Sequence, residues 1–84
     1  MQIYNMEHRL KILPEYFNAI LDETKTFEVR KNDRDYKVND ILVLQEWTAD
    51  NGYTGRWVTT KISYVLGNTD YCKEGFVILG IKLN

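Results

Sequence analysis

The sequence predicts an α+β, mainly β fold: a small bent β-barrel of about five mostly antiparallel strands, with one helix after the first strand. Five short stretches read as strands, by strict alternation or as a continuous apolar run. Only one stretch, near the N-terminus, has helical spacing. The chain has 84 residues, enough for one domain over residues 1–84 and not for two. A single helix cannot cover both faces of a parallel sheet. So small a sheet hides one face by curling on itself, with the helix over one opening.

The first strand is "HRLKIL", in which His8, Leu10 and Ile12 share a face opposite Arg9 and Lys11. Pro14 stops it and opens a helix at its first position. In "LPEYFNAILDETK", Leu13, Phe17, Ile20 and Leu21 fall at helical spacing with Tyr16 on the flank. Glu15 near its start and Lys25 near its end suit the helix dipole, and Leu13 is a poor cap. About two to three turns are expected. "TFEVR" is the second strand, with Phe27 and Val29 on one side and Thr26, Glu28 and Arg30 on the other. "KNDRDYKVND" is rich in turn formers. "ILVLQEW" opens as a continuous apolar run and is expected to be covered on both faces. Asn51-Gly52 reads as a hairpin turn, which sets Trp47 across from Arg56 and Trp57 across from Glu46. "RWVTTKISYVL" places Val58, Thr60, Ile62, Tyr64 and Leu66 on one face. "FVILGIKL" closes the sheet, and Gly80 within it marks a bulge or bend.

Hydrophobic residues make up 44% and charged residues 27%, as in ordinary globular chains. Cys72 is the single cysteine and has no partner for an internal disulfide, which suits a reducing cytoplasm. "MQIYNMEHRL" lacks the basic start and apolar core of a signal peptide, and no apolar run approaches the ~20 residues of a membrane span. The expectation is a soluble cytoplasmic chain with no membrane partner, a monomer or a weak dimer through an exposed sheet edge. The net charge of −1 excludes a general coater of duplex DNA, whose affinity comes from neutralising phosphates. The charge is nevertheless uneven. Residues 25–37 hold five basic and three acidic side chains, a net +2 on a body that is otherwise −3.

Candidate sites follow from that focus. Glu28 and Arg30 project to one side of a strand, and Lys25 at the helix-to-strand junction reaches the same side. Converging there, they make a pocket for a polar or anionic ligand, since Arg offers a planar fork and Lys a point charge. Against this stands a solvent-facing strand with one Glu–Arg pair, worth roughly 0–1 kcal/mol. Arg34 either overhangs the same pocket or is paired with Asp33 and Asp35 in a turn. Trp47, Trp57 and Tyr36 can stack an unpaired base, or simply pack the sheet. His8 on an apolar face reads as a hydrogen-bonded core or rim residue. One His and one Cys cannot assemble a zinc site, so no metal and no cofactor is expected. No phosphate-cradling glycine loop or Gly-x-Ser-x-Gly is present.

"ILDETKTFEVR" followed by "DRDYKVNDILVL" resembles the ASCH family, the activating-signal-cointegrator homology domains of the PUA-like superfamily. The family signature Gly-x-Lys-x-x-Glu-x-Arg is met at Lys25, Glu28 and Arg30, with Glu23 in place of its glycine. The later Gly-Asp is Asn39-Asp40. Both substituted positions call for a left-handed backbone, which Asn tolerates better than Glu. The pattern looks most like very small stand-alone ASCH-type proteins of bacteria and their phages. The resemblance implies a PUA-like barrel with a cleft beside the first helix that binds RNA or a modified nucleotide. Lys25, Glu28, Arg30 and Arg34 would then contact the ligand, with Tyr36, Trp47 or Trp57 stacking a base. One branch resembles an amidohydrolase of acetylated cytidine that uses Lys, Thr and Glu. Lys25 matches its Lys, but Glu28 stands where its Thr would be, so binding of short single-stranded RNA or a nucleotide ranks ahead of catalysis by Lys25 and Glu28. A protein-interaction adaptor using the hairpin tip around Tyr53 and Trp57 is the remaining alternative.

Overall fold

The computed structural model describes residues 5–84. Part of the stretch expected to lack a signal peptide, residues 1–4, lies outside the described residues. The elements run β1 (Glu7–Ile12), α1 (Pro14–Leu21), β2 (Phe27–Lys31), β3 (Ile41–Thr48), β4 (Gly52–Leu66) and β5 (Phe76–Leu83). They form one five-stranded sheet in the order β1-β3-β4-β5-β2. The pairs β2–β5, β3–β4 and β4–β5 are antiparallel. β1 runs parallel to β3, because α1 and β2 intervene before the chain returns beside it. The sheet curls into a half-barrel and leaves β1 and β2 as its two edges.

Alternation in β1 buries His8, Leu10 and Ile12, as the sequence predicts. α1 begins with Pro14 at its first position, and Leu13 offers no side-chain cap. Phe17 and Ile20 turn inward and meet Leu10, Ile12, Leu42, Leu44, Ile62, Val77, Leu79 and Ile81 in one core. The central run of β3 is covered as expected, with Leu42, Val43 and Leu44 all buried. The helix ends in a Schellman arrangement: the Thr24 N–H donates to Ala19 O and the Glu23 N–H to Ile20 O. Glu23 supplies the left-handed residue this requires, at φ 64°, and Asn39 does the same at φ 77°. Lys25 lies past the helix, whose last turn has no basic residue, so it does not serve the dipole there. The Lys25 N–H donates to Ala19 O, which anchors the exit of the chain toward β2.

β2 corrects the reading of its charged side as solvent-facing. Glu28 is 4% exposed, whereas Phe27 is 45% and Val29 52% exposed. Period-2 alternation separates two faces but does not say which one is turned inward. Here the charged face is turned into the curl. On the outer face, Phe27, Gly80 and Tyr64 fall in one row across β2, β5 and β4, and Val29, Ile78 and Leu66 in the next.

Two bulges correct the registers. The β3–β4 turn is residues 49–51, with Thr48 paired to Gly52, so Asn51-Gly52 is not its central pair. That turn sets Trp47 across from Tyr53, not Arg56, and a shift between Gln45 and Trp47 then sets Trp57 across from Gln45, not Glu46. Left-handed glycines at 52 (φ 73°) and 55 (φ 92°) accommodate this. The second bulge lies between Ile62 and Tyr64 and breaks the β4 alternation. Tyr64 faces out and Val65 packs on the core. Gly80 sits opposite, as expected of a bulge marker: a Cβ there would lie 3.1 Å from Ser63 Oγ.

No helix among the described residues is long and apolar enough to cross a membrane.

Candidate functional site

The seam between the two sheet edges organises the charged residues of β2. Among the described residues β1 pairs only with β3 and β2 only with β5, and no backbone ladder between them closes the half-barrel. Two guanidinium groups span the gap instead. Arg30 Nη2 donates to Lys11 O at 2.8 Å, and Arg34 Nη1 donates to Arg9 O at 3.0 Å. Residues 9 and 11 are two apart, so their carbonyls point the same way, out from the strand edge. Arg34 is therefore a bridge across the seam, and it forms no ion pair with Asp33 or Asp35.

Beside the seam, between α1 and β2, lies a cleft of about 420 Å³. Lys25, Glu28 and Arg30 form its charged wall, and Lys11, Leu13, Tyr16, Phe27 and Val29 line the rest. Lys25 Nζ donates to Phe27 O at 2.6 Å and to Glu28 Oε1 at 2.5 Å. Arg30 Nε donates to Glu28 Oε2 at 3.0 Å. One buried carboxylate thus holds two partly exposed cations, and the group carries a net positive charge. Lys25 Nζ also lies 5.5 Å from the Tyr16 ring centre and 4.9 Å from that of Phe27. A cationic floor between aromatic walls suits a flat ligand with an anionic group.

The other predicted residues fall in three places. Arg34 lines a smaller hollow of about 180 Å³ that it shares with Arg30 and Tyr36. Tyr36 does not present a stacking face; it is 6% exposed and its ring lies 4.8 Å from that of His8. Burial raises its phenol pKa, although Arg34 and Arg30 pull the other way. His8 is the core residue its face implies: its Nε2 is 2.8 Å from Asp40 Oδ2 and both are buried. Burial pushes the Asp40 carboxyl up, but hydrogen bonds from His8 and from the backbone N–H groups of Lys37 and Met6 hold it below its ordinary value. Asp40 so ties β1, the loop and the start of β3 together.

Trp47 is half-buried, and Lys11 Nζ sits 4.3 Å over its ring. Trp57 is not brought to the cleft. It is 65% exposed and lines a separate groove with Phe17, Leu21, Gly55 and Arg56. There Arg56 reaches Glu46 through Nε (3.0 Å) and Nη2 (2.8 Å), and Asn18 Oδ1 at 3.1 Å. Thr54 Oγ1 also donates to Glu46. The bonds from Arg56 and Thr54 lower the Glu46 pKa to about 2. This group clamps the hairpin onto α1. Sequence reasoning did not single out Tyr16, Phe27 or Lys11 for the cleft. The proximity of Phe27 to Lys25 is the one signal that points there; the face of β2 decides it.

Over 72 residues the chain is 38% identical to the uncharacterised 12.9 kDa protein in the GpA 3' region of Escherichia phage P2. The match covers 86% of this chain and 64% of that relative, so less than two thirds of the relative's length is spanned. Residues 7–81, from the first residue of β1 to near the end of β5, match the family described as domain of unknown function DUF3850, and the chain belongs to that family.

Proposed function

We propose that this is an ASCH-type, PUA-like domain that binds a nucleotide or a short stretch of single-stranded RNA in the cleft beside α1. The observation that supports this reading is the Lys25–Glu28–Arg30 group on the inward face of β2. Ion pairs taken out of water seldom stabilise a fold better than apolar residues of the same size. A domain with so small a core gains little stability from such a group, and its place in a cleft favours a ligand role. In this reading Arg30 and Lys25 take the phosphate or a base edge, Glu28 orients both cations, and Tyr16 and Phe27 flank an unstacked base. Net charge of −1 makes the contact local, a few nucleotides at most.

The amidohydrolase reading rests on the same Lys25–Glu28 contact. Arg30 occupies the other Glu28 oxygen, so the carboxylate serves as an anchor for two cations. That arrangement favours holding a ligand over cutting it. Titration of 15N-labelled protein with a short single-stranded RNA and with nucleoside monophosphates tests the binding reading. Shifts are expected at Tyr16 and over residues 25–31. Their absence throughout that segment would overturn it, and release of free amine from an acetylated nucleoside by wild type but not Lys25→Ala would replace it with catalysis.

A further inference from the structure

We infer that Trp47, Tyr53 and Lys11 form a second station for the neighbouring nucleotide of a single strand whose first base lies in the cleft. The inference rests on the cleft being a nucleotide site. Lys11 is the link, because the residue lines the cleft and its Nζ lies 4.3 Å over the Trp47 ring. Among the described residues no carboxylate pairs with Lys11, so its ammonium hydrogens are free for a phosphate. Trp47 in turn faces Tyr53 directly across the β3–β4 ladder, and Tyr53 is largely exposed.

A cation between two aromatic surfaces matches the repeat of a single strand: base, phosphate, base. Tyr16 and Phe27 would flank the first base, Lys11 meet the linking phosphate, and Trp47 with Tyr53 carry the second base. A pair that only stiffened the hairpin would have no need of a basic residue shared with the cleft. Such stacking is sequence-tolerant, since every base has a π-face.

The test uses the whole chain with Trp57→Phe, which leaves Trp47 as the only tryptophan. The probes are 5'-AMP and the 5'-phosphorylated dinucleotide pApA. The dinucleotide should quench Trp47 and bind at least about fivefold more tightly than 5'-AMP, the lower end expected for one stacked base. Trp47→Leu, and separately the exposed-site change Tyr53→Ser, should reduce that gain and leave 5'-AMP binding as it was, both read by calorimetry because the first keeps no tryptophan. Equal affinity for the two probes, or a gain that survives in both variants, overturns the second station while the cleft reading stands. Binding of neither probe removes the cleft reading, and this one with it.

Discussion

Glu23 holds a backbone shape that glycine would hold more easily. Its φ of 64° is demanded by the helix-ending hydrogen bonds, and a left-handed conformation disfavours a side chain by roughly 1–2 kcal/mol. Glu23→Gly is therefore expected to stabilise the fold by about 1 kcal/mol, less the extra freedom glycine gives the unfolded chain. A rise in the urea midpoint with an unchanged slope checks it. Glu23 and Asn39 show what was legible at this scale: the resemblance marked both as left-handed, and both are. The burial of Glu28 was not legible. Alternation told that it shares a face with Arg30, but which way that face turns depends on how β2 joins β5, a partner far along the chain. Tyr36 was hidden for a related reason. Tyr36 and Val38 alone in a turn-rich stretch set no period, and only the packing against His8 reveals Tyr36 as core.

Among the elements, the β3–β4 hairpin depends on its clamp to α1. Glu46 has a folded-state pKa of about 2 against an ordinary 4.5, so its ionised form favours the folded chain. That contribution is fully present above about pH 4.5 and is lost as pH falls toward 2. The Asp40 carboxyl, also held below its ordinary 3.8, acts with the same sign. The thermal midpoint should thus fall as pH is lowered below about 4.5. Glu46→Gln should be less stable than wild type at neutral pH and show a shallower decline on acidification, which thermal melts across that range measure. A variant as steep as wild type would assign the acid sensitivity to Asp40 or Asp22, the other carboxyls held below their ordinary value, instead. The five strands and the helix were readable from alternation and helical spacing, and Gly80 announced the bulge opposite it. The registers were not readable. A three-residue turn already moves Trp47 from the partner that a two-residue Asn51-Gly52 turn would give it, and the two extra β4 residues at the first bulge then move Trp57.

For the molecule as a whole, closure depends on two side chains. Between β1 and β2 the seam is spanned by Arg30 and Arg34, each on a main-chain carbonyl. A hydrogen bond from a charged donor contributes roughly 1.5–3 kcal/mol when well formed, and less where, as for Arg34, water competes. Arg34→Ala is expected to lower amide-exchange protection in β1 by about fivefold while the β3–β4–β5 centre keeps its own, because edges open before ladders. Uniform loss in all strands would mean that Arg34 supports global stability and not the seam. Nothing in the alternation of β1 or β2 forecast this. Strand patterns report faces, whereas the seam is a property of edges, and it exists only once the sheet has curled.

The same two arginines act as a clasp on an otherwise open cuff. Because each grips a neutral carbonyl where it crosses the seam, the crossing contacts have no anionic half for salt to mask, and rising ionic strength should loosen them far less than the ion pairs nearby. Arg30 is at once part of the clasp and part of the cleft wall. Whatever anion takes hold of that guanidinium draws on one of the two fastenings of the cuff, so filling the cleft and keeping the barrel shut are settled at a single side chain.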